Sequence, residues 1–126
     1  MASRFTELAI DGADPQALAR FWCAVLDYEV VEVDDDLVTI GPRPVVGGPS
    51  GPVPPVLTFA RVPEAKRVKN RLHLDLSPVD RDQADEVHRL VGLGAQRVDV
   101  GQGDASWVVL ADPEGNEFCV LGPASP

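Results

Sequence analysis

Two side chains that can exchange protons, those of His73 and Asp75, lie two positions apart in residues 69–76 (KNRLHLDL). Leucines occupy the alternate positions. This period of two predicts a half-buried β-strand with leucine on the core face and the two polar residues on the other face. An imidazole beside a carboxylate is a natural general acid or base. The same pattern also fits a solvated strand face without chemistry.

Three further polar candidates lie on the first and last predicted strands. Glu7 belongs to a strand at 4–11, and Glu117 and Cys119 belong to a strand at 117–121. Because Glu117 and Cys119 are two positions apart, their side chains share one face of that strand. Glu117 is a candidate for proton transfer, and a solvated carboxylate beside a turn is the alternative.

Composition restricts the class of protein. The chain has 126 residues, of which 44% are hydrophobic and 25% charged, as in a single soluble globular domain. The formal net charge of −9 argues against nucleic acid or anionic membranes as partners, because phosphate groups bind basic surfaces. No apolar run reaches the ~20 residues of a membrane helix, and residues 1–11 lack the pattern of a signal peptide. We therefore expect a cytoplasmic protein.

Cysteines and lysines are few. Cys23 and Cys119 lie far apart and match no paired metal motif, so free thiols are expected in a cytoplasmic chain.

Lys66 and Lys69 form the one locally basic stretch. They could hold an anionic substrate group or belong to a solvated linker.

Two helices are predicted. The first begins at Asp14, because aspartate caps free amide groups and the proline that follows suits the first helical position. Its apolar stripe contains Leu18, Phe21, Trp22, Val25 and Leu26. The second helix begins at Asp80, with Gln83 at the reciprocal position of a capping box, and ends at the glycines of 92–94.

Short apolar runs predict seven strands besides the central stretch. They lie at 4–11, 28–33, 37–40, 56–62, 96–100, 107–111 and 117–121. Residues 112–116 (DPEGN) predict a tight turn before the last strand. The Gly- and Pro-rich residues 41–55 predict a long loop, which is either the lid or rim of a site or a plain surface loop.

The elements repeat along the chain. Their order is β-α-β-β-β, a linker, and β-α-β-β-β again. Asp14 follows Glu7 by seven positions, just as Asp80 follows His73. Glu7 and His73 therefore hold equivalent places in two modules. The predicted organisation is a single domain, 1–126, with module one at 1–62, a linker at 63–69 and module two at 70–123.

Three motifs carry a family resemblance. They are the helix start at 14–22 (DPQALARFW), the central NRLHLDL at 70–76 and DPEGNEF at 112–118. With the repeat, they resemble the vicinal oxygen chelate superfamily of glyoxalase, bleomycin-resistance and extradiol dioxygenase proteins, and its small glyoxalase-like members in particular. The resemblance covers almost the whole chain. It implies an α+β fold in which two βαβββ modules in tandem form a curved mixed sheet around a cup, with helices on the outer face, often as a homodimer.

The resemblance also implies where a metal would lie. Members that use a metal take His, Glu or Gln ligands from the first and last strands of each module. The matching positions here are Glu7, His73 and Cys119, while the last strand of module one offers only Thr58, Phe59 or Ala60. This set departs from the glyoxalase and dioxygenase patterns, so no metal is the default expectation. A divalent ion (Zn, Ni, Fe or Mn) held by Glu7, His73 and Cys119 is the alternative.

The first of two functions that the resemblance implies is that of an enzyme. It would be a glyoxalase-like lyase, isomerase or oxygenase acting on a small molecule in the cup around His73. Without a metal, His73 is the natural general base or acid. The other catalytic candidates are Glu7, Asp75 and Glu117.

The alternative is a non-catalytic protein of the bleomycin-resistance type, which sequesters a small molecule at a dimer interface. The incomplete metal set favours this function. Phe59 and Trp107 could stack on an aromatic ligand, with Cys119 as a third contact. For both aromatic residues a place in the core is the alternative interpretation.

Overall fold

The chain folds into two compact units, each with the element order β-α-β-β-β that the sequence predicts. The computed structural model describes residues 2–44, 55–103 and 105–122. The units divide between Ala65 and Lys66, inside the predicted linker. Within the described ranges, no helix is long and apolar enough to cross a membrane.

Each unit consists of one helix and a four-stranded mixed sheet, which confirms the predicted α+β class. The first unit contains β1 (Glu7–Gly12), α1 (Pro15–Leu26), β2 (Tyr28–Asp34), β3 (Leu37–Pro42) and β4 (Val56–Arg61). The second unit contains β5 (Asp75–Leu76), α2 (Gln83–Leu93), β6 (Gln96–Arg97), β7 (Val108–Ala111) and β8 (Glu117–Val120).

The sheet of the first unit has the strand order β1-β4-β3-β2. β1 runs parallel to β4, and the other neighbours are antiparallel. α1 begins as predicted, because the Asp14 side chain accepts a hydrogen bond from the amide of Ala17 at 3.1 Å. The apolar stripe of α1 packs on β2, β3 and β4. The core of this unit contains Leu18, Phe21, Trp22, Val38, Ile40, Leu57 and Phe59.

The sheet of the second unit has the matching order β5-β8-β7-β6, with β5 parallel to β8. α2 packs on β8. The buried side chains here are Val87, Leu90, Val109, Leu110, Phe118, Cys119 and Val120. Both units therefore place a parallel pair at one edge of the sheet and bury an apolar helix stripe against the sheet.

The predicted turn before the last strand is present. The Oδ1 atom of Asp112 accepts hydrogen bonds from the amides of Glu114 and Asn116, both at 2.9 Å. Gly115 has a φ of 88°, a left-handed conformation that a side chain would disfavour. Aspartate and glycine are therefore required at these two positions, and the turn aligns β7 with β8.

The central stretch is not the long strand that the sequence predicts. Only Asp75 and Leu76 pair with β8, and Leu72 is 83% exposed. Asp75 pairs with Cys119 in a parallel register, so three residues upstream Leu72 would stand opposite Asn116. The amide of Asn116 donates to Oδ1 of Asp112, and its carbonyl accepts from the amide of Asp112, so both backbone groups are used within the turn instead of in a ladder with Leu72. The alternating pattern of the leucines was therefore misleading.

The second helix begins later than predicted. The side chain of Asp82, not Asp80, accepts a hydrogen bond from the amide of Asp85, at 2.8 Å. Gln83 makes no capping box with Asp80, since its amide donates to the backbone carbonyls of Ser106 and Val120.

The cap at Asp82 lies nine residues after His73, whereas the cap at Asp14 lies seven residues after Glu7, so this spacing does not repeat. The strand registers still relate Glu7 to His73. Glu7 is paired with the first residue of β4, and His73, two residues before Asp75, would stand opposite the first residue of β8.

Three other boundaries differ from the prediction. The first strand begins at Glu7 instead of position 4, and β6 has two residues instead of the five predicted. β6 ends early because the chain turns, with the amide of Gly101 donating to Asp99 at 2.8 Å. The predicted loop 41–55 starts inside β3, and its residues 45–54 lie outside the described part of the chain.

Candidate active site

Three side chains of the second unit that can bind protons or metals converge. Ligating atoms of His73, Asp75 and Cys119 all lie within 4.8 Å of one another. The Nδ1 atom of His73 is 2.9 Å from Oδ1 of Asp75. The thiol of Cys119 is hydrogen-bonded to the same carboxylate. Asp75 therefore joins an imidazole and a thiol, and we call this group the His73–Asp75–Cys119 cluster.

The pairing of β5 with β8 positions two members of the cluster. Asp75 and Cys119 are direct partners in the parallel ladder, so their side chains emerge on the same face of the sheet. The amide of Cys119 donates to the carbonyl of Leu74 at 2.9 Å, and the amide of Leu121 donates to that of Leu76 at 2.8 Å. His73 lies just outside the strand, and its contact with Asp75 orients the ring.

The cluster has a buried and an accessible side. Cys119 is only 6% exposed. The side chains of His73 and Asp75 are 41% and 47% exposed, so a small molecule can reach both. The cluster is therefore a solvent-accessible acid–base pair above a buried sulfur atom.

The pKa of the Cys119 thiol is raised above its ordinary value. Burial raises its pKa, and the charge of Asp75 and its hydrogen bond raise the pKa further, against a smaller opposing effect of Lys69. A thiol with a raised pKa is a weak nucleophile, since the thiolate is the reactive form. Both cysteines are free thiols, as predicted. The geometry therefore makes Cys119 a hydrogen-bond donor or a latent ligand.

Glu117 is held by a basic residue and a backbone amide. The Nζ atom of Lys66 lies 2.9 Å from Oε1 of Glu117, and the amide of Asn70 donates to the same oxygen at 3.0 Å. Burial on its own would raise the pKa of Glu117, but these hydrogen bonds and the charge of Lys66 lower the pKa overall. Glu117 thus ties residues 66–70, just before His73, to β8. Lys66, one candidate for an anionic substrate group, is engaged by this carboxylate.

Glu7 lies in the first unit, where two threonines of neighbouring strands are hydrogen-bonded to it in a chain. Thr58 donates a 2.6 Å hydrogen bond from Oγ1 to Oε2 of Glu7. The hydroxyls of Thr39 and Thr58 lie 3.0 Å apart on neighbouring strands. Since the proton of Thr58 is directed to Glu7, the hydroxyl of Thr39 donates to Thr58. This chain of hydrogen bonds fixes the position of the exposed carboxylate.

The two aromatic candidates for ligand binding, Phe59 and Trp107, differ in their exposure to solvent. Phe59 has an exposed fraction of 0% and belongs to the core of the first unit, the alternative that its sequence left open. Trp107 is 43% exposed and lines an open depression of about 400 Å³ on the second unit. The other lining residues are Arg97, Val98, Asp99, Gln102, Val108 and Val109.

The cluster contains the donor types that a divalent metal needs. An imidazole nitrogen, a carboxylate oxygen and a sulfur are all zinc ligands, and three protein ligands leave one position open. The structure brings His73 and Cys119 of the predicted set together with Asp75, which the sequence indicated as a catalytic candidate and not as a ligand. The signal in the sequence was the two-residue spacing of His73 and Asp75 on one face of a predicted strand.

Comparisons with known proteins support the fold. No curated protein matches the chain. A glyoxalase/bleomycin resistance protein/dioxygenase family enzyme from Burkholderia phytofirmans PsJN is 17% identical, with a TM-score of 0.66 over 91% of this chain and 94% of that one. A protein from Bacillus cereus, described as a possible glyoxalase, is 18% identical, with a TM-score of 0.66 over 95% and 99% of the two chains.

A third similar structure contains a metal. It is a variant of the fosfomycin resistance protein FosX from Listeria monocytogenes, complexed with Mn(II) and 1S,2S-dihydroxypropylphosphonic acid. It is 11% identical, with a TM-score of 0.69 over 98% of this chain and 93% of that one. These structural similarities, at sequence identities of 17%, 18% and 11%, show a shared fold and not a shared chemistry.

The family is established by a direct match. A family model described as a glyoxalase-like domain matches residues 7–121, which is nearly the whole chain and includes both βαβββ units. The match agrees with the resemblance to the vicinal oxygen chelate superfamily that the helix start, the central motif and the DPEGN turn carry. The chain therefore belongs to the glyoxalase-like domain family.

Proposed function

We propose that the protein is a small-molecule enzyme of the glyoxalase-like type, a lyase, isomerase or oxygenase, with the His73–Asp75–Cys119 cluster as its active site. The observation that carries the proposal is the 2.9 Å contact between His73 and Asp75, with both side chains open to solvent. An oriented imidazole that a substrate can reach is the group that proton transfer requires. The raised pKa of Cys119 argues against a thiolate nucleophile as the reacting group.

His73 would act as the general base and acid. Its Nδ1 atom is engaged by Asp75, which leaves Nε2 for a proton on a carbon or oxygen of the substrate. Asp75 would hold the tautomer of the ring and stabilise the imidazolium that forms when the ring accepts this proton. General acid–base catalysis of this kind contributes roughly 10²–10⁴-fold to a rate. Glu117 would act indirectly, by holding the segment before His73 in place.

The cluster also fits a divalent cation. His73, Asp75 and Cys119 would supply nitrogen, oxygen and sulfur, a mixed set that suits zinc better than manganese because sulfur is a soft ligand. A bound ion would polarise a carbonyl or enediolate oxygen of a substrate. Cys119 would have to lose its proton, and with it the hydrogen bond to Asp75.

Activity measurements test this proposal. A panel of α-keto aldehydes and catechols is offered to the wild type, His73→Ala and Asp75→Asn, with His88→Ala as the matched control on α2. For any substrate that the wild type turns over, we expect kcat to fall by about 10²–10⁴-fold in His73→Ala and to stay unchanged in His88→Ala. Full activity of His73→Ala would rule out the proposed base.

A second function is a protein that sequesters a small molecule without chemistry. The observation that favours it is the exposed face of Trp107 on an open depression, where an aromatic ligand could stack. Binding of a ligand that the protein leaves chemically unchanged, with an affinity that His73→Ala does not alter, would favour this function over the enzyme.

A further inference from the structure

A row of paired residues runs across the sheet of the second unit from the cluster to the strands at the depression of Trp107. Asp75 pairs with Cys119, and Cys119 pairs with Val109 on β7. The amide of Val98 donates to the carbonyl of Val109 at 3.1 Å and extends this row to the next strand. Directly paired residues point to the same face, and neighbouring strands lie about 4.8 Å apart. Val98 and Val109, which line the depression, are therefore within about 10 Å of Cys119.

The loop at the rim of the depression is braced by its own polar side chains. Asp99 accepts a hydrogen bond from the amide of Gly101, and Gln102 accepts one from the amide of Val100, both at 2.8 Å. Gln102 also donates to the carbonyl of Val98 at 3.4 Å. These two polar side chains are thus used within the loop, and they give the depression a defined wall.

Two other lining groups are the guanidinium of Arg97 and the indole of Trp107. Within the described residues, no hydrogen bond or ion pair engages the guanidinium of Arg97 or the indole of Trp107. The indole is a large flat surface for stacking, and a guanidinium binds a carboxylate through two parallel hydrogen bonds. The pair therefore matches a ligand that combines a planar ring with an anionic group.

We propose that this depression binds a planar aromatic or conjugated carboxylic acid, with its ring on Trp107 and its carboxylate on Arg97. A volume of about 400 Å³ suits a small molecule of this class. This binding does not depend on the proposed function.

Three probe ligands separate the two contacts. Cinnamate has the ring and the charge, cinnamamide has the ring without the charge, and 3-cyclohexylpropanoate has the charge without the planar ring. Dissociation constants are measured by ligand-observed NMR, which does not depend on tryptophan. We expect cinnamate to bind about tenfold more tightly than either of the other two.

Two variants and a control assign the contacts. Arg97→Gln should make cinnamate and cinnamamide bind equally, and Trp107→Leu should remove the advantage of cinnamate over 3-cyclohexylpropanoate. Arg81→Gln removes the same charge elsewhere in the second unit and should leave all three affinities unchanged. Tryptophan fluorescence gives a second readout in the wild type, because Trp22 is buried at 2% exposure and only Trp107 can be quenched by a ligand at the surface.

The outcomes separate this inference from the proposed function. Equal binding of the three probes by the wild type, no binding of cinnamate, or an unchanged preference in Arg97→Gln would overturn the inference. If His73→Ala abolishes turnover while cinnamate binding persists, both proposals stand. If cinnamate binding follows Arg97 and Trp107 but no turnover depends on His73, the enzyme proposal alone fails.

Discussion

The Nδ1 atom of His73 lies 2.9 Å from Oδ1 of Asp75, although only Asp75 belongs to a strand. β8 fixes Asp75 through the parallel ladder, and Glu117 of the same strand holds the segment that leads to His73. One strand therefore positions both the carboxylate and the imidazole, and it also carries Cys119. These contacts, together with the threonine pair of the first unit, lead to four predictions.

Replacing Asp75 should change the titration of Cys119. The charge of Asp75 raises the pKa of this thiol, so Asp75→Asn should move that pKa downward, toward the ordinary value. The shift can be measured from the ultraviolet absorbance of the thiolate as the pH is raised, in a Cys23→Ser background that leaves one cysteine. Asp80→Asn is the control, since it removes a carboxylate outside the cluster. A thiol pKa that stays the same or rises in Asp75→Asn would contradict the effect of the Asp75 charge on this thiol.

Glu117 should make stability depend on pH. Its pKa is lowered in the folded protein, so its contribution to the free energy of unfolding is present above the ordinary carboxyl value of 4.5 and is lost as the pH falls through the lower, folded value. Glu117→Gln should cost about 1–3 kcal/mol at pH 7, and less in acid. Urea unfolding at several pH values measures both quantities.

The control for Glu117 is Glu64→Gln, which changes an exposed carboxylate before the second unit. It should unfold like the wild type at every pH. A Glu117→Gln variant that loses as much stability in acid as at pH 7 would show that the ion pair with Lys66 does not carry the effect.

Thr39 and Thr58 in the first unit should contribute jointly to the free energy of unfolding. Thr58→Val keeps the shape of the side chain but leaves Thr39 and Glu7 without their partner, so we expect a loss of about 1–2 kcal/mol. Thr39→Val should cost less, because the bond from Thr58 to Glu7 remains. The double variant should lose less than the sum of the two single losses, since they share one network. The free energies of unfolding are measured by chemical denaturation. If the loss in the double variant equals the sum of the two single losses, the two threonines do not share a network. Thr6→Val is the control, because Thr6 is exposed.

Local signals predicted much of the fold. Asp14 caps α1, and the DPEGN turn precedes β8, because each of these features depends on hydrogen bonds between residues at most a few positions apart. The order of the helices and strands in the described part of the chain follows from such signals and from the repeat.

Signals that depend on distant residues were misleading or absent. Leu72 fits a strand by its alternation, yet its would-be partner lies in a turn. Asp80 and Asp82 both suit a helix cap, and only the structure shows which of them is used. His73 and Cys119 could be singled out separately, but their link through Asp75 depends on the register of β5 and β8, which no local pattern encodes.

The most direct test of the His73–Asp75–Cys119 cluster is its metal content. Protein purified without tags or chelators, and the variants His73→Ala, Asp75→Asn and Cys119→Ser, are measured by elemental mass spectrometry before and after reconstitution with zinc. The matched controls are His88→Ala, Asp80→Asn and Cys23→Ser. His73 can serve as the general base only while no ion occupies the cluster, so we predict no stoichiometric ion in the wild type, the controls or the cluster variants. Close to one divalent ion per chain in the wild type and the controls, lost in all three cluster variants, would contradict His73 as the base and make the cluster a metal site.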